Sequence, residues 1–92
     1  MKYKNLKFIS VEERTGPDGW CRFRSPDMTE LFLHAGPGSY RTMLAIVPGA
    51  IAEVIEGDTG QRPKVKPLFT AGSRADRPPH ARRSRIRRYA IA

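Results

Sequence analysis

Apolar and polar residues alternate along two short runs, Trp20 to Arg24 and Glu30 to His34, with Ser25-Pro-Asp-Met28 marking a turn between them. Side chains on a strand change face at every residue, so the pattern predicts two strands. Cys21, Phe23, Leu31 and Leu33 suit a core, while Trp20, Arg22, Arg24, Glu30, Phe32 and His34 take the opposite face. Lys2 to Glu13 forms an earlier strand candidate, with Leu6, Phe8, Ile9 and Val11 as its apolar members. Its period slips between Phe8 and Ile9, as a bulge would cause, which leaves the face of Phe8 open. Thr15-Gly-Pro-Asp-Gly19 is a strong turn signal, because Pro presets φ and Gly accepts positive φ. Three strands with two short connections form an antiparallel meander.

After His34 the chain breaks at Ala35-Gly-Pro-Gly-Ser39. Residues 40–47 fit either a short helix or an irregular crossover. Pro48-Gly49 then predicts a turn, Ala50 to Glu56 a fourth strand rich in β-branched residues, and Gly57-Asp-Thr-Gly60 a hairpin turn. Pro63 to Thr70 is the fifth strand candidate, held to an edge by Pro63 and Pro67. Five short strands with an irregular connection after the third predict an all-β, five-stranded OB-fold barrel over residues 1–70, with a small SH3-like barrel as the alternative. Ala71 to Pro79 reads as a linker. His80 to Ala92 reads as an arginine-rich tail, disordered by self-repulsion until phosphate neutralises it. On this reading a chain cut after Thr70 still folds.

Charge sharpens the division. The chain of 92 residues carries a formal charge of +8, with 17 Lys/Arg against 9 Asp/Glu. Residues 1–70 are close to balance, whereas residues 71–92 hold seven arginines and one aspartate. Such asymmetry favours a polyanionic partner, nucleic acid before an acidic protein or membrane surface. The single cysteine excludes an internal disulfide and any C-x-x-C pair. No apolar run is long enough for a membrane span or a signal peptide, so a cytoplasmic, monomeric protein without membrane contact is expected. No Walker-type loop, nucleophile elbow or dinucleotide fingerprint is present, and Glu12, Glu13, Asp18 and Asp27 read as carboxylates around turns. His34, Cys21 and His80 are too few for a metal site. No enzyme activity, cofactor or metal is implied.

Asp18-Gly-Trp-Cys-Arg-Phe23 followed by Leu31-Phe-Leu-His34 resembles the two ribonucleoprotein motifs of the bacterial cold-shock domain, Lys-Gly-Phe-Gly-Phe-Ile and Val-Phe-Val-His. Lys7-Phe8-Ile9-Ser10 stands where that family has Lys-Trp-Phe-Asn, and Leu44 to Gly49 with Val54 to Gly57 resembles its last elements before the final strand. The chain departs from the pattern at Cys21, Arg22 and Ala35, and in its longer loop from Glu13 to Gly19. The resemblance implies an OB-fold that binds single-stranded RNA or DNA without catalysis. Trp20, Phe32, His34 and Phe8 would stack bases, each ring contributing about 1–3 kcal/mol. Lys7, Arg22 and Arg24 would hold phosphates, and Arg82, Arg83, Arg85, Arg87 and Arg88 would add electrostatic capture from the tail. A second reading from another class is an adaptor or inhibitor of phage type that docks on a ribosome, an RNA polymerase or an RNA-guided defence complex. There the barrel would touch protein, and the tail alone nucleic acid.

Overall fold

The alternating runs build β1 (Phe8–Thr15), β2 (Cys21–Arg24) and β3 (Phe32–Ala35), followed by α1 (Tyr40–Thr59), β4 (Val65–Pro67) and β5 (Ser84–Ile91). The structure, a computed structural model, describes residues 1–68 and 77–92. Phe69 and Thr70, expected to end the fifth strand, and most of the expected linker lie outside the described residues. The strands form one antiparallel sheet in the order β3-β2-β1-β5-β4, a curled half-barrel with one helix.

Strand parity in β2 and β3 is as the alternation predicts. Cys21, Phe23 and Leu31 are buried and Leu33 is partly buried, whereas Trp20, Arg22, Arg24, Phe32 and His34 are exposed. The bulge expected in β1 is absent. Phe8 pairs with Ala90 and Ile9 with Tyr89 in unbroken register, so Phe8 faces outward and Ile9 inward. Leu6, which suggested the slip, lies ahead of the strand in a turn closed by a bond from its N–H to the Tyr3 carbonyl at 3.2 Å.

Residues 50–60 correct the sequence reading. Residues 50–59 belong to α1 and Gly60 caps it, so neither a fourth strand nor a hairpin turn forms there. Tyr40, Val47, Ile51 and Ile55 recur at helical spacing and are buried against the sheet, with Met43, Leu44, Ala50 and Val54 packed around them. That continuous face outweighs the β-branched content of the segment. It also offsets Pro48, whose place inside a helix costs about 3 kcal/mol. Gly60, at φ 82°, closes the helix with its N–H on the Glu56 carbonyl at 2.8 Å.

The larger correction concerns the C-terminal tail. Ser84–Ile91 is β5, paired with β1 along its length and with β4 on its other side. The same alternation that organises β2 runs through it. Ile86 and Arg88 face outward, while Arg85, Arg87, Tyr89 and Ile91 turn towards the helix side. Splitting the arginines between two faces relieves the repulsion that argued for disorder. Inside, Glu13 of β1 is fully buried and accepts bonds from the Tyr40 hydroxyl and Arg87 Nε. Arg87 also donates to the Tyr40 oxygen at 3.0 Å. Burial pushes the Glu13 carboxyl up from its ordinary value, while the bonds from Tyr40 and Arg87 work the other way. Burial likewise opposes the Arg87 charge, but Glu13 and Tyr40 outweigh it and hold the guanidinium protonated.

Two expectations follow from this core. A chain ending at Thr70 loses the strand beside β1, so its thermal melt should show no cooperative transition. A sharp transition with the intact chain's circular dichroism would return residues 84–91 to the status of a tail. Glu13→Ala strands the buried guanidinium and should cost about 3–5 kcal/mol in denaturant unfolding. A loss below about 1 kcal/mol would mean that the pair does not hold β5 in place.

Candidate nucleic-acid interface

Period two puts the even-numbered residues of four strands on one outer surface. Register aligns them in rows across the sheet: His34, Arg22, Arg14 and Ser84 in one, and Phe32, Arg24, Glu12 and Ile86 in the next. Ser10 and Arg88 follow, then Phe8 and Ala90. The rings on this face are more exposed than a core-seeking side chain would be: Trp20 41%, Phe8 52% and Phe32 53%.

His34 sits between two rings. Its centroid is 5.3 Å from that of Trp20 and 5.9 Å from that of Phe32, both edge-to-face. The Trp20 ring lies against Gly36, where an added Cβ would approach its carbons at 3.3 Å. Glycine there lets the indole lie close over the backbone after β3, with one side left open. Trp20, Phe32 and His34, together with Asp18 and Arg22, line an open cavity of about 400 Å3. Arg22 meets Asp18 at 3.5 Å in an exposed ion pair, which contributes at most about 1 kcal/mol and leaves the guanidinium free to exchange partners.

Cations lie over the rings. The Arg24 guanidinium carbon is 6.0 Å from the Phe32 centroid, and that of Arg88 is 5.8 Å from the Phe8 centroid. These contacts leave the guanidinium donors available to a phosphate. A second cavity, of about 260 Å3, lies beside Arg24 and is lined by Ser10, Glu12, Arg24, Ser25, Pro26 and Ile86.

Of the residues singled out from the sequence, Phe8, Trp20, Arg22, Arg24, Phe32, His34 and Arg88 share this face. Arg82 and Arg83 are exposed just ahead of β5. The Arg82 N–H approaches the Thr15 carbonyl at 3.4 Å, at the end of the sheet that carries Arg22. Three residues fall elsewhere. Lys7 has the opposite parity to Phe8 and lines a cleft with Tyr3, Leu6, Ile55 and Ile91 beside the end of α1. Arg87 is bound to Glu13, and Arg85 donates to the Tyr40 hydroxyl at 3.3 Å, both on the helix side of the sheet.

The sequence reading missed Glu12, Arg14 and Ile86. The signal was present in the alternation Phe8, Ser10, Glu12, Arg14. The strand candidate Lys2 to Glu13 stops two residues short of Thr15, and Glu12, though within it, reads only as one of the carboxylates around turns. Among the described residues no three His, Cys, Asp or Glu side chains are grouped to hold a metal ion, and no helix is long and apolar enough to cross a membrane. Compared with known proteins, the chain matches no family model, no curated protein and no solved structure.

Cys21 tests which side of β2 is which. It is buried beneath the sheet, and burial pushes its thiol up, so little thiolate forms at neutral pH. A thiol reagent should label it far more slowly in the native protein than in denaturant. Equal rates would reverse the two faces and remove Trp20 and Arg22 from the outer surface.

Proposed function

We propose that the protein binds single-stranded RNA or DNA without catalysing a reaction, using the outer face of its half-barrel. The observation that carries this reading is the exposure of Trp20, Phe32 and Phe8 on one sheet surface, interleaved with Arg22, Arg24 and Arg88. Rings left in water beside guanidinium groups offer unpaired bases a stacking platform and their phosphates a counter-charge. A duplex would present neither free base faces nor a groove matched to a shallow sheet. We read β1–β3 as a cold-shock-like meander of OB type, with the ring-bearing positions of both motifs on its outer side. The likeness at residues 44–57 does not extend that reading, because those residues lie in α1.

In the adaptor reading, where the sheet touches protein and the arginines alone touch nucleic acid, that contact would fall to Arg82, Arg83 and Arg88, since Arg85 and Arg87 are turned towards α1 within a paired strand.

Trp20→Ala and Phe32→Ala are expected to weaken binding to a single-stranded oligonucleotide by about 1–3 kcal/mol each, roughly 5- to 150-fold. Because both rings are exposed, the melting temperature should change little. Anisotropy titrations with RNA and DNA octamers, alongside thermal melts, check both. Unchanged affinity, or a stability loss of several kcal/mol on the scale of an emptied core site, would mean that the rings serve packing.

A further inference from the structure

A carboxylate stands in the middle of the proposed interface, where a polyanion should disfavour it. Glu12 lies in the row Phe32–Arg24–Glu12–Ile86, directly across from Arg24 on β2 and from Ile86 on β5. Opposite charges facing each other across an antiparallel pair ordinarily meet. Here they do not. Among the described residues Glu12 makes no ion pair or side-chain hydrogen bond, and Arg24 leans towards the Phe32 ring instead. Asp27, the neighbouring acid, is engaged by the Ser10 N–H at 2.8 Å.

Glu12 and Arg24 both line the cavity of about 260 Å3. Just below the roughly 300–1,000 Å3 typical of pockets for whole ligands, it suits one planar base. Its walls are of two kinds. Ile86, 63% exposed, and Pro26 supply apolar surface, while Glu12 supplies two acceptors and Arg24 a fork of donors.

We infer that this cavity reads guanine in the bound strand, with Glu12 as the specificity-determining residue and Arg24 as its partner. The inference rests on the single-stranded nucleic-acid reading above. Guanine alone among the common bases carries two adjacent N–H donors, at N1 and N2, which match the two oxygens of one carboxylate. Its O6 and N7 accept a bidentate guanidinium. Adenine and cytosine offer the carboxylate one amino group, and uracil or thymine one ring N–H. A phosphate in the same place would meet the Glu12 charge, so the pocket excludes backbone as well as selecting a base.

The test uses the full chain and oligouridylate octamers bearing one central guanine, hypoxanthine, adenine or uracil. Guanine should bind at least about fivefold more tightly than adenine or uracil, the lower range for bidentate base readout. Hypoxanthine, which lacks the N2 amino group, should lose most of that advantage. Glu12→Gln should abolish the preference while binding the all-uracil octamer at least as tightly as the parent, because a charge facing the phosphates is gone. A purely structural role for Glu12 would not raise that affinity. Equal binding of all four octamers by the parent chain, or an undiminished guanine preference in Glu12→Gln, overturns the inference and leaves the nucleic-acid reading standing. No measurable binding of any octamer overturns that reading and the inference together.

Discussion

The fold turns on a buried charge. Glu13 has no exposed surface, and an unpaired carboxylate in that position would be prohibitively desolvated. Its two donors come from the first turn of α1 and from β5, so a single side chain ties the N-terminal strand to the helix and to the far end of the sequence. Replacing such a group by apolar residues is often neutral for stability, so its value lies less in net energy than in specifying one arrangement. Only one register of β5 on β1 brings Arg87 beneath the sheet beside Glu13. A slip by one residue would bury Ile86 and Arg88 and expel Arg87 and Tyr89.

That constraint reaches the opposite surface. With period two, fixing Arg87 and Tyr89 inward obliges Ile86 and Arg88 to face outward, where they join Phe8 and Glu12. The outer face is therefore not an independent patch of surface residues. Its β5 half is set by an ion pair on the other side of the sheet, and its β2–β3 half by the burial of Cys21, Phe23 and Leu31. Gly36 adds a local condition, since a Cβ there would meet the Trp20 ring at 3.3 Å and the indole would have to shift by a few tenths of an ångström.

The same logic explains what could be read in advance. The faces of β2 and β3 were legible because their alternation is strict and their partner is the next strand in sequence. Five of the outer-face candidates, Trp20, Arg22, Arg24, Phe32 and His34, came from those two runs. Residues 84–91 alternate too, but their polar inward positions make sense only beside Glu13, 74 residues away from Arg87. Without that partner five arginines between His80 and Ala92 read as a repelling tail. Residues 50–60 failed for another reason. Pro48-Gly49 is a strong local breaker, and only the packing of Val47, Ile51 and Ile55 on the sheet overrides it. Lys7 was drawn to the outer face by its likeness to the lysine of Lys-Trp-Phe-Asn and its place beside Phe8, although neighbours on an extended chain take opposite sides.

Closing a sheet between its first and last strands also bears on how the interface comes into being. The pairing of β1 with β5 is long-range, so chain entropy delays it relative to the local β1–β2–β3 meander. The ring cluster of Trp20, His34 and Phe32 belongs wholly to the meander, whereas the Phe8–Arg88 pair and the Glu12–Ile86 wall exist only once β5 is seated. The face thus divides into a locally encoded ring cluster, the stacking platform of the proposed function, and a part that depends on complete folding. Stacking tolerates any base, because every base has a π-face. Discrimination needs donors and acceptors held apart at fixed positions, which the loose end of a partly folded chain cannot provide. The arginines of β5 serve this division by their alternation: Arg87 secures the register from within, and Arg88 joins Phe8 on the outer face.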